Sequence, residues 1–356
     1  RSPDEMTTLV SQLFLGIRLE CAKCHHHPFE KWSQDDFYSF AAYFAKVGHK
    51  GTGLSPPISG GEETVFVSTR GDVRHPLTEK IMDPRPLYGE SVPESDDADP
   101  REALAEWITS SENDYFVKVQ VNRIWAALMG RGLVEPVDDL RSTNPPTNPA
   151  LLDALAEYFR ATGYDTKKLL KTIALSRVYR LSSLPAQSNV GDRLNYSRHY
   201  RHRLRAETLM DAIVDVTQTS LDIAGLPSGS RSNQIWTHRV GSMFLDTFGR
   251  PDANQDPPCE RSSDSTVTQA LHLMNSSELE GRIKHDEGRA ARLAASDLTA
   301  DEIVTELYLA IFSRYPDDSE AAYAGKLIAE AGKERRGAIE DLMWAMLNTP
   351  EFAIQN

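Results

Sequence analysis

Apolar residues recur at Met6, Leu9, Val10, Leu13, Phe14 and Ile17, the three-and-four spacing of one face of an α-helix. A start signal precedes them: Ser2 is the N-cap, Pro3 takes the first helical position, and Glu5 closes an S-x-x-E capping box. Continuing the same count puts Cys21 and Cys24 on the stripe, with His25 one turn beyond Cys21. The spacing therefore predicts one amphipathic helix that brings both thiols and the imidazole to the inward side of its end and stops at Pro28. Trp32, Phe37, Tyr38, Phe40, Tyr43 and Phe44 follow at once, with enough aromatic bulk to wall a flat apolar cofactor.

From Gly48 to about Pro100 the texture changes to dense glycine and proline, with Glu63 to Ser68 as the best strand candidate. Acidic residues from Glu94 to Asp99 read as a solvated approach to the next helix N-terminus, where negative charge is favourable. Helical periodicity returns with Leu104, Trp107 and Ile108, then with Val117, Val121, Ile124, Trp125 and Leu128. Two further helices carry Leu151, Leu152, Leu155 and Tyr158, then Leu169, Leu170, Ile173 and Leu175, the first of them after a rigid Asn144–Pro149 connector. Another is predicted over Arg203 to Leu221, followed by an irregular stretch over 224 to 264. The C-terminal end reads as three helices. The first has a Thr299-x-x-Glu302 capping box, the second follows Tyr315-Pro316, and the third ends near Asn348-Thr349-Pro350. The fold expected is mainly α, a multi-helix globular fold with a small irregular or β-containing insert near residues 50–95 and no large sheet. Three segments are expected: 1–47 with the cysteine motif, 48–100 as insert or linker, and 101–356 as a helical domain.

Composition narrows the function classes. With 40% hydrophobic and 26% charged residues in 356, the chain has an ordinary globular composition and enough length for more than one core. No run of eighteen apolar residues exists to span a bilayer, so this segment is not expected to insert in a membrane. A net charge of −13 argues against general affinity for nucleic acid or anionic lipid, and suits a cationic partner or a neutral substrate. Three cysteines, two in one motif, exclude a disulfide framework. The start at Arg1, with no initiator methionine or signal peptide, is read as the start of a piece excised from something longer.

The chemistry concentrates in Cys21-Ala22-Lys23-Cys24-His25. At C-x-x-C-H spacing, two thiols can be joined to the vinyl groups of one haem while the adjacent imidazole ligates its iron. Cys21, Cys24 and His25 are thus the expected haem c ligands. Alternatives remain: a Cys21–Cys24 disulfide, a motif kept for packing, or a zinc or other transition-metal site. That metal site would use both thiolates with His25 or His27, and Cys259 as a distant fourth ligand. Of the three consecutive histidines at most one can join His25 at the same centre, because adjacent side chains point apart. His49, His75, His238 and Met243 lie in irregular segments as candidates for a sixth iron ligand. Asn122 and Arg123 with Asp138 and Asp139 read as buried arginine–carboxylate bridging, and Cys259 as a structural thiol. No nucleophile elbow, P-loop, dinucleotide fingerprint or H-E-x-x-H helix is present.

The run from Phe14 to Phe37, with Cys21-x-x-Cys24-His25-x-His27-Pro28-Phe29-Glu30-x-Trp32 at its centre, resembles the end of the planctomycete cytochrome-like domain of unknown function. The remainder resembles its companion planctomycete domain of unknown function. The carriers include His75-Pro76, Asn122-Arg123-Ile124-Trp125, Gly130-Arg131-Gly132-Leu133-Val134, Asp138-Asp139-Leu140-Arg141 and Leu347 to Phe352. The resemblance implies an exported bacterial protein, often with a separate haem domain upstream, and places His27 and His75 at family positions. Taken together, the expectation is an extracytoplasmic (periplasmic or cell-surface) c-type cytochrome-like protein. It would transfer electrons or support a redox enzyme, with a redox partner protein or an upstream haem domain as its partner, and with His25, His27 and His75 as metal candidates. The competing expectation is a non-redox surface interaction or carbohydrate-associated module in which the motif holds a structural metal or a disulfide. A third, an oxidative enzyme acting on polymers, would need an open metal position.

Overall fold

The computed structural model describes residues 2–51, 63–89, 99–223, 225–235, 240–251 and 266–355. His238, Cys259 and the acidic residues 94–98 lie outside these. The described residues are mainly helical, with fifteen α-helices and two small two-stranded antiparallel sheets. None of these helices is long and apolar enough to cross a membrane. They form two compact units, 1–200 and 201–356.

In the first unit, α1 (Pro3–Val10) starts as its sequence dictates, with Ser2 and Glu5 capping each other's backbone N–H groups. It does not run on to the cysteines. One π turn over Ser11–Leu15 is followed by Gly16 in the left-handed region at φ 64°, where Gly16 N–H bonds Gln12 O and Ile17 N–H bonds Ser11 O. This is a helix stop of the kind glycine makes at little cost, and it corrects the single long helix expected from periodicity. Cys21 instead falls in a separate 3₁₀ turn, Glu20–Lys23, with Cys24 as its C-cap. Of the stripe, Ile17 is buried, Met6, Leu9, Val10 and Leu13 are half-buried and Phe14 is exposed, and the left-handed glycine within it re-aims everything downstream.

Helix α2 (Gln34–Ala41) opens with a Ser33–Asp36 capping box. The aromatics expected to wall a cofactor are used otherwise: Trp32, Phe37, Tyr38, Phe40, Tyr43 and Phe44 are all buried in one core with Leu15, Leu19 and Ala22. That core also takes Ala103, Leu104, Trp107 and Ile108 of α3 (Pro100–Thr109), whose N-cap is Asp99. The N-terminal segment and the start of the helical region therefore share one interior. Between them, β1 (Val47–Gly51) pairs with β2 (Glu63–Val67), which is the small β insert. A second core gathers α4 (Asp114–Met129), α5 (Pro149–Ala161) and α6 (Thr166–Ala174) around Trp125, Leu133, Leu152, Leu169 and Ile173.

The second unit packs α7 (Ala206–Thr217), α8 (Met243–Thr247), α9 (Val267–Asn275), α10 (Ser277–Ile283) and α11 (Arg289–Ala295) with α12 (Ala300–Phe312), α13 (Asp318–Glu330), α14 (Arg335–Leu347) and α15 (Pro350–Ala353). The Thr299–Glu302 box caps α12 as expected. Helix α7 is shorter than its predicted span. Arg203 is extended and pairs with Ile354 across β3 (His202–Arg203) and β4 (Ile354–Gln355), and Gln218 ends the helix in the left-handed region.

Gly16 is the residue on which this local path turns. A Cβ there would stand 2.9 Å from Leu140 Cδ1 and 3.0 Å from Val119 Cγ2, on top of its unfavourable φ. Gly16→Ala is expected to destabilise the first unit by about 1–3 kcal/mol, read as a lower urea midpoint at unchanged slope.

Candidate functional site

Two buried anchors seat the 3₁₀ turn. Leu19 and Ala22 are fully buried, while Cys21 and Cys24 are free and exposed. The N–H groups of Cys24 and His25 both donate to Cys21 O at 3.4 Å, closing the turn. In a 3₁₀ helix the side chains of residues i and i+3 eclipse, so the two thiols project from one edge. They face outward, which corrects the inward-facing arrangement expected from a continuous helix.

The residues between the cysteines are held from three sides. The carbonyl of Lys23 accepts from Gln34 Nε2 at 2.8 Å and from the Tyr38 hydroxyl at 3.3 Å, both on α2. Lys23 Nζ lies 3.3 Å from Asp4 Oδ2 on α1, and the hydrogen bond with Asp4 raises the lysine pKa. Burial, reinforced by the Asp4 charge, raises the pKa of Tyr38, so its hydroxyl keeps its proton and remains a donor through the neutral range. Sequence reasoning missed Gln34, Tyr38 and Asp4. The one available signal was the S-x-x-D box at Ser33, which announces a helix immediately after the motif and puts Gln34 and Tyr38 one turn apart on it.

The three histidines expected as ligands differ in what their rings present. His25 Nδ1 lies 2.7 Å from His26 O, and a carbonyl only accepts, so in the neutral ring Nδ1 carries the proton and Nε2 is the nitrogen with the lone pair. This is the arrangement in which a backbone carbonyl orients a ligating imidazole. His27 Nδ1 accepts from Phe29 N–H at 3.2 Å, leaving the proton on Nε2. His75 is buried. Its Nδ1 accepts from the N–H groups of Leu77 and Thr78, and its Nε2 lies 3.5 Å from Asp35 Oδ1. It meets the Tyr38 ring edge-on at 5.7 Å between centroids, one aromatic ring removed from the cysteine turn. Among the described residues no three His, Cys, Asp or Glu side chains converge as a metal site. His49 is exposed in β1 and Met243 is exposed in α8, the latter in the second unit.

Beside the turn lies a cleft whose walls include Arg18, His27, Glu30, Trp32, Asp139 and Arg141. Its volume of about 20 Å³ is room for about one water. Behind it, Asp138 accepts from Gln12 Nε2 and Arg18 Nη2, both at 2.8 Å. Arg123 donates to the carbonyls of Leu13 and Gln12, and Asn122 bonds the backbone of Val134 and Val137. Arginine–carboxylate bridging is present here, but with Arg18 as a partner of Asp138 and Arg141 as a partner of Asp139, in place of the Arg123 that the sequence pairing pointed to.

These features define a mainly helical protein that presents a C-x-x-C-H turn on its surface. Residues 100–328 match the family described as PSD1, Protein of unknown function (DUF1553), and the chain belongs to that family. Residues 1–49 match PSCyt2, Protein of unknown function (DUF1549), so the two planctomycete domains stand in the order that the sequence motifs implied. No curated protein and no solved structure matches the chain.

The Lys23 clamp has a measurable consequence for the thiols. Gln34→Leu and Tyr38→Phe each remove one hydrogen bond from the turn. Each is expected to lower the Cys21–Cys24 disulfide equilibrium against a glutathione buffer by about two- to tenfold. An equilibrium equal to wild type in both variants would show that the turn holds itself.

Proposed function

We propose that this chain is part of an extracytoplasmic c-type cytochrome-like protein that transfers electrons, or supports a redox enzyme, through covalently attached haem. The observation that carries this reading is the donor set: two free thiols on one edge of a 3₁₀ turn, followed by an imidazole with Nδ1 tied to a carbonyl and Nε2 available. The donor set fits haem c. Cys21 and Cys24 would hold it by adding each S–H across a vinyl double bond, the sulfur bonding one carbon and the hydrogen the other. His25 Nε2 would ligate the iron, and the bound group supplies one-electron transfer. The other tasks belong to the chain itself: Leu19 and Ala22 seat the turn, and Gln34, Tyr38 and Asp4 keep it in register. His27 and His75 present N–H groups in this arrangement, so their role is to hold backbone.

The exposure of the turn supports a surface that exchanges electrons with a second protein or with a haem domain upstream. The net charge of −13 suits a cationic face on that partner. The family resemblance supports export. A second reading, a reversible Cys21–Cys24 dithiol–disulfide couple, is favoured by the same eclipsed thiols, neither of which is in a disulfide among the described residues.

The test is the visible spectrum before and after dithionite, with intact mass, on protein made in an export host equipped for haem ligation. The expected result is a Soret band with sharp reduced α and β bands and a mass gain of one haem, both lost in Cys21→Ser/Cys24→Ser. Colourless protein of unmodified mass from that host overturns the haem reading. Loss of two hydrogens on mild oxidation would then support the dithiol couple.

A further inference from the structure

The first unit carries a stretch whose charge is opposite to that of the chain as a whole. From Asp165 to Leu181 five basic side chains, Lys167, Lys168, Lys171, Arg177 and Arg180, stand against one acidic side chain, in a protein of net charge −13. All five are exposed. Residues 99–223 are described without a break, so no undescribed residue adjoins this stretch in sequence.

Helical spacing sorts the residues into faces. Leu169 and Ile173 are the buried stripe of α6, and Lys167, Lys171 and the C-cap Leu175 recur four apart on the other side. In the turn that follows, Val178 and Tyr179 pack against the same core, while Arg177, Arg180 and Leu181 stay exposed.

The fold makes little use of these cations. Lys168 pairs with the N-cap Asp165 at 3.3 Å, but Lys167, Lys171, Arg177 and Arg180 have no ion pair with a described residue. On the neighbouring α5, joined to α6 through Thr172 and Tyr158, Asp153 is taken by Lys118 and Glu157 by Arg160. Lys167 and Lys168 also stand in the first turn of α6, the positive end of its dipole, where a cation costs helix stability.

Apolar exposure decides the kind of anionic partner. Leu175 is 64% exposed and Leu181 is 40% exposed, each set among the lysines and arginines. A soluble polyanion would leave both in water. A bilayer boundary offers anionic headgroups outside and hydrocarbon about 5–10 Å deeper, which matches cations and aliphatic side chains side by side. The acidic remainder of the chain argues against general attraction to such a surface, but its charges are largely screened beyond about 8 Å at physiological ionic strength, so local charge governs close contact.

We propose that this face rests on an anionic lipid bilayer as a peripheral contact. Lys167, Lys171, Arg177 and Arg180 meet the phosphates, and Leu175 and Leu181 reach the acyl boundary. The contact needs no spanning helix, and it is independent of the haem reading.

Sedimentation of the full chain with vesicles of phosphatidylcholine and phosphatidylglycerol in equal parts, against vesicles of phosphatidylcholine alone, tests it. Binding to the anionic vesicles is expected, falling with added salt, with little binding to the neutral ones. Lys167→Gln and Lys171→Gln should each weaken it about fivefold, and Leu175→Ser and Leu181→Ser each about threefold. These side chains are exposed, so the melting temperature should stay at the wild-type value in all four. Lys333→Gln, at an exposed lysine of the second unit, should bind as wild type. Absence of binding overturns the proposal, as does equal binding to both kinds of vesicle or an affinity unchanged in Lys167→Gln and Lys171→Gln. So does an affinity that falls in the lysine variants but not in Leu175→Ser and Leu181→Ser, which would assign the face to an acidic protein or another soluble polyanion.

Discussion

Asp138 is the constraint on which the presentation of the cysteine turn depends. Its carboxylate takes hydrogen bonds from Gln12 and Arg18, on either side of the Gly16 break, and so fixes the direction in which the chain leaves its first helix. Leu140 N–H bonds Gly16 O at 2.9 Å and Arg123 reaches the carbonyls of the same turn, so the middle of α4 and the loop after it grip the break from outside. Unpaired, a carboxylate this buried would be costly, and paired it commits three distant segments to one arrangement. From that arrangement follow the burial of Leu19 and Ala22 and, between them, the outward aim of Cys21.

Much of the fold was legible because its helices announce themselves. The capping boxes at Ser2 and Thr299 and the apolar spacing of α3 to α6 are local signals, and local signals survive without tertiary information. Two failures were of one kind. The periodic stripe through Ile17 overrode the glycine at 16, and the count through Arg203 overrode a strand pairing made with Ile354, some 150 residues away in sequence. Periodicity reports that a face is buried. It does not report where a left-handed residue or a distant partner cuts the element short.

The candidate site was half legible. The identities and spacing of Cys21, Cys24 and His25 are sequence facts, but which imidazole nitrogen is free depends on whether its neighbour is a carbonyl or an N–H, and no spacing rule carries that. The aromatics after the motif misled for a related reason: composition shows that bulk is available, not whether it faces a cofactor or fills the interior.

The core shared by Leu15–Phe44 and Ala103–Ile108 bears on how such chains are inherited. The stretch matching one family ends at 49 and the stretch matching the other begins at 100, yet the compact unit runs from 1 to 200 without a seam between them. A recombination joining the first stretch to an unrelated neighbour would strip Trp107 and Ile108 from around Phe40 and leave the aromatic interior open to water. A substitution in one stretch is therefore answerable to residues encoded in the other.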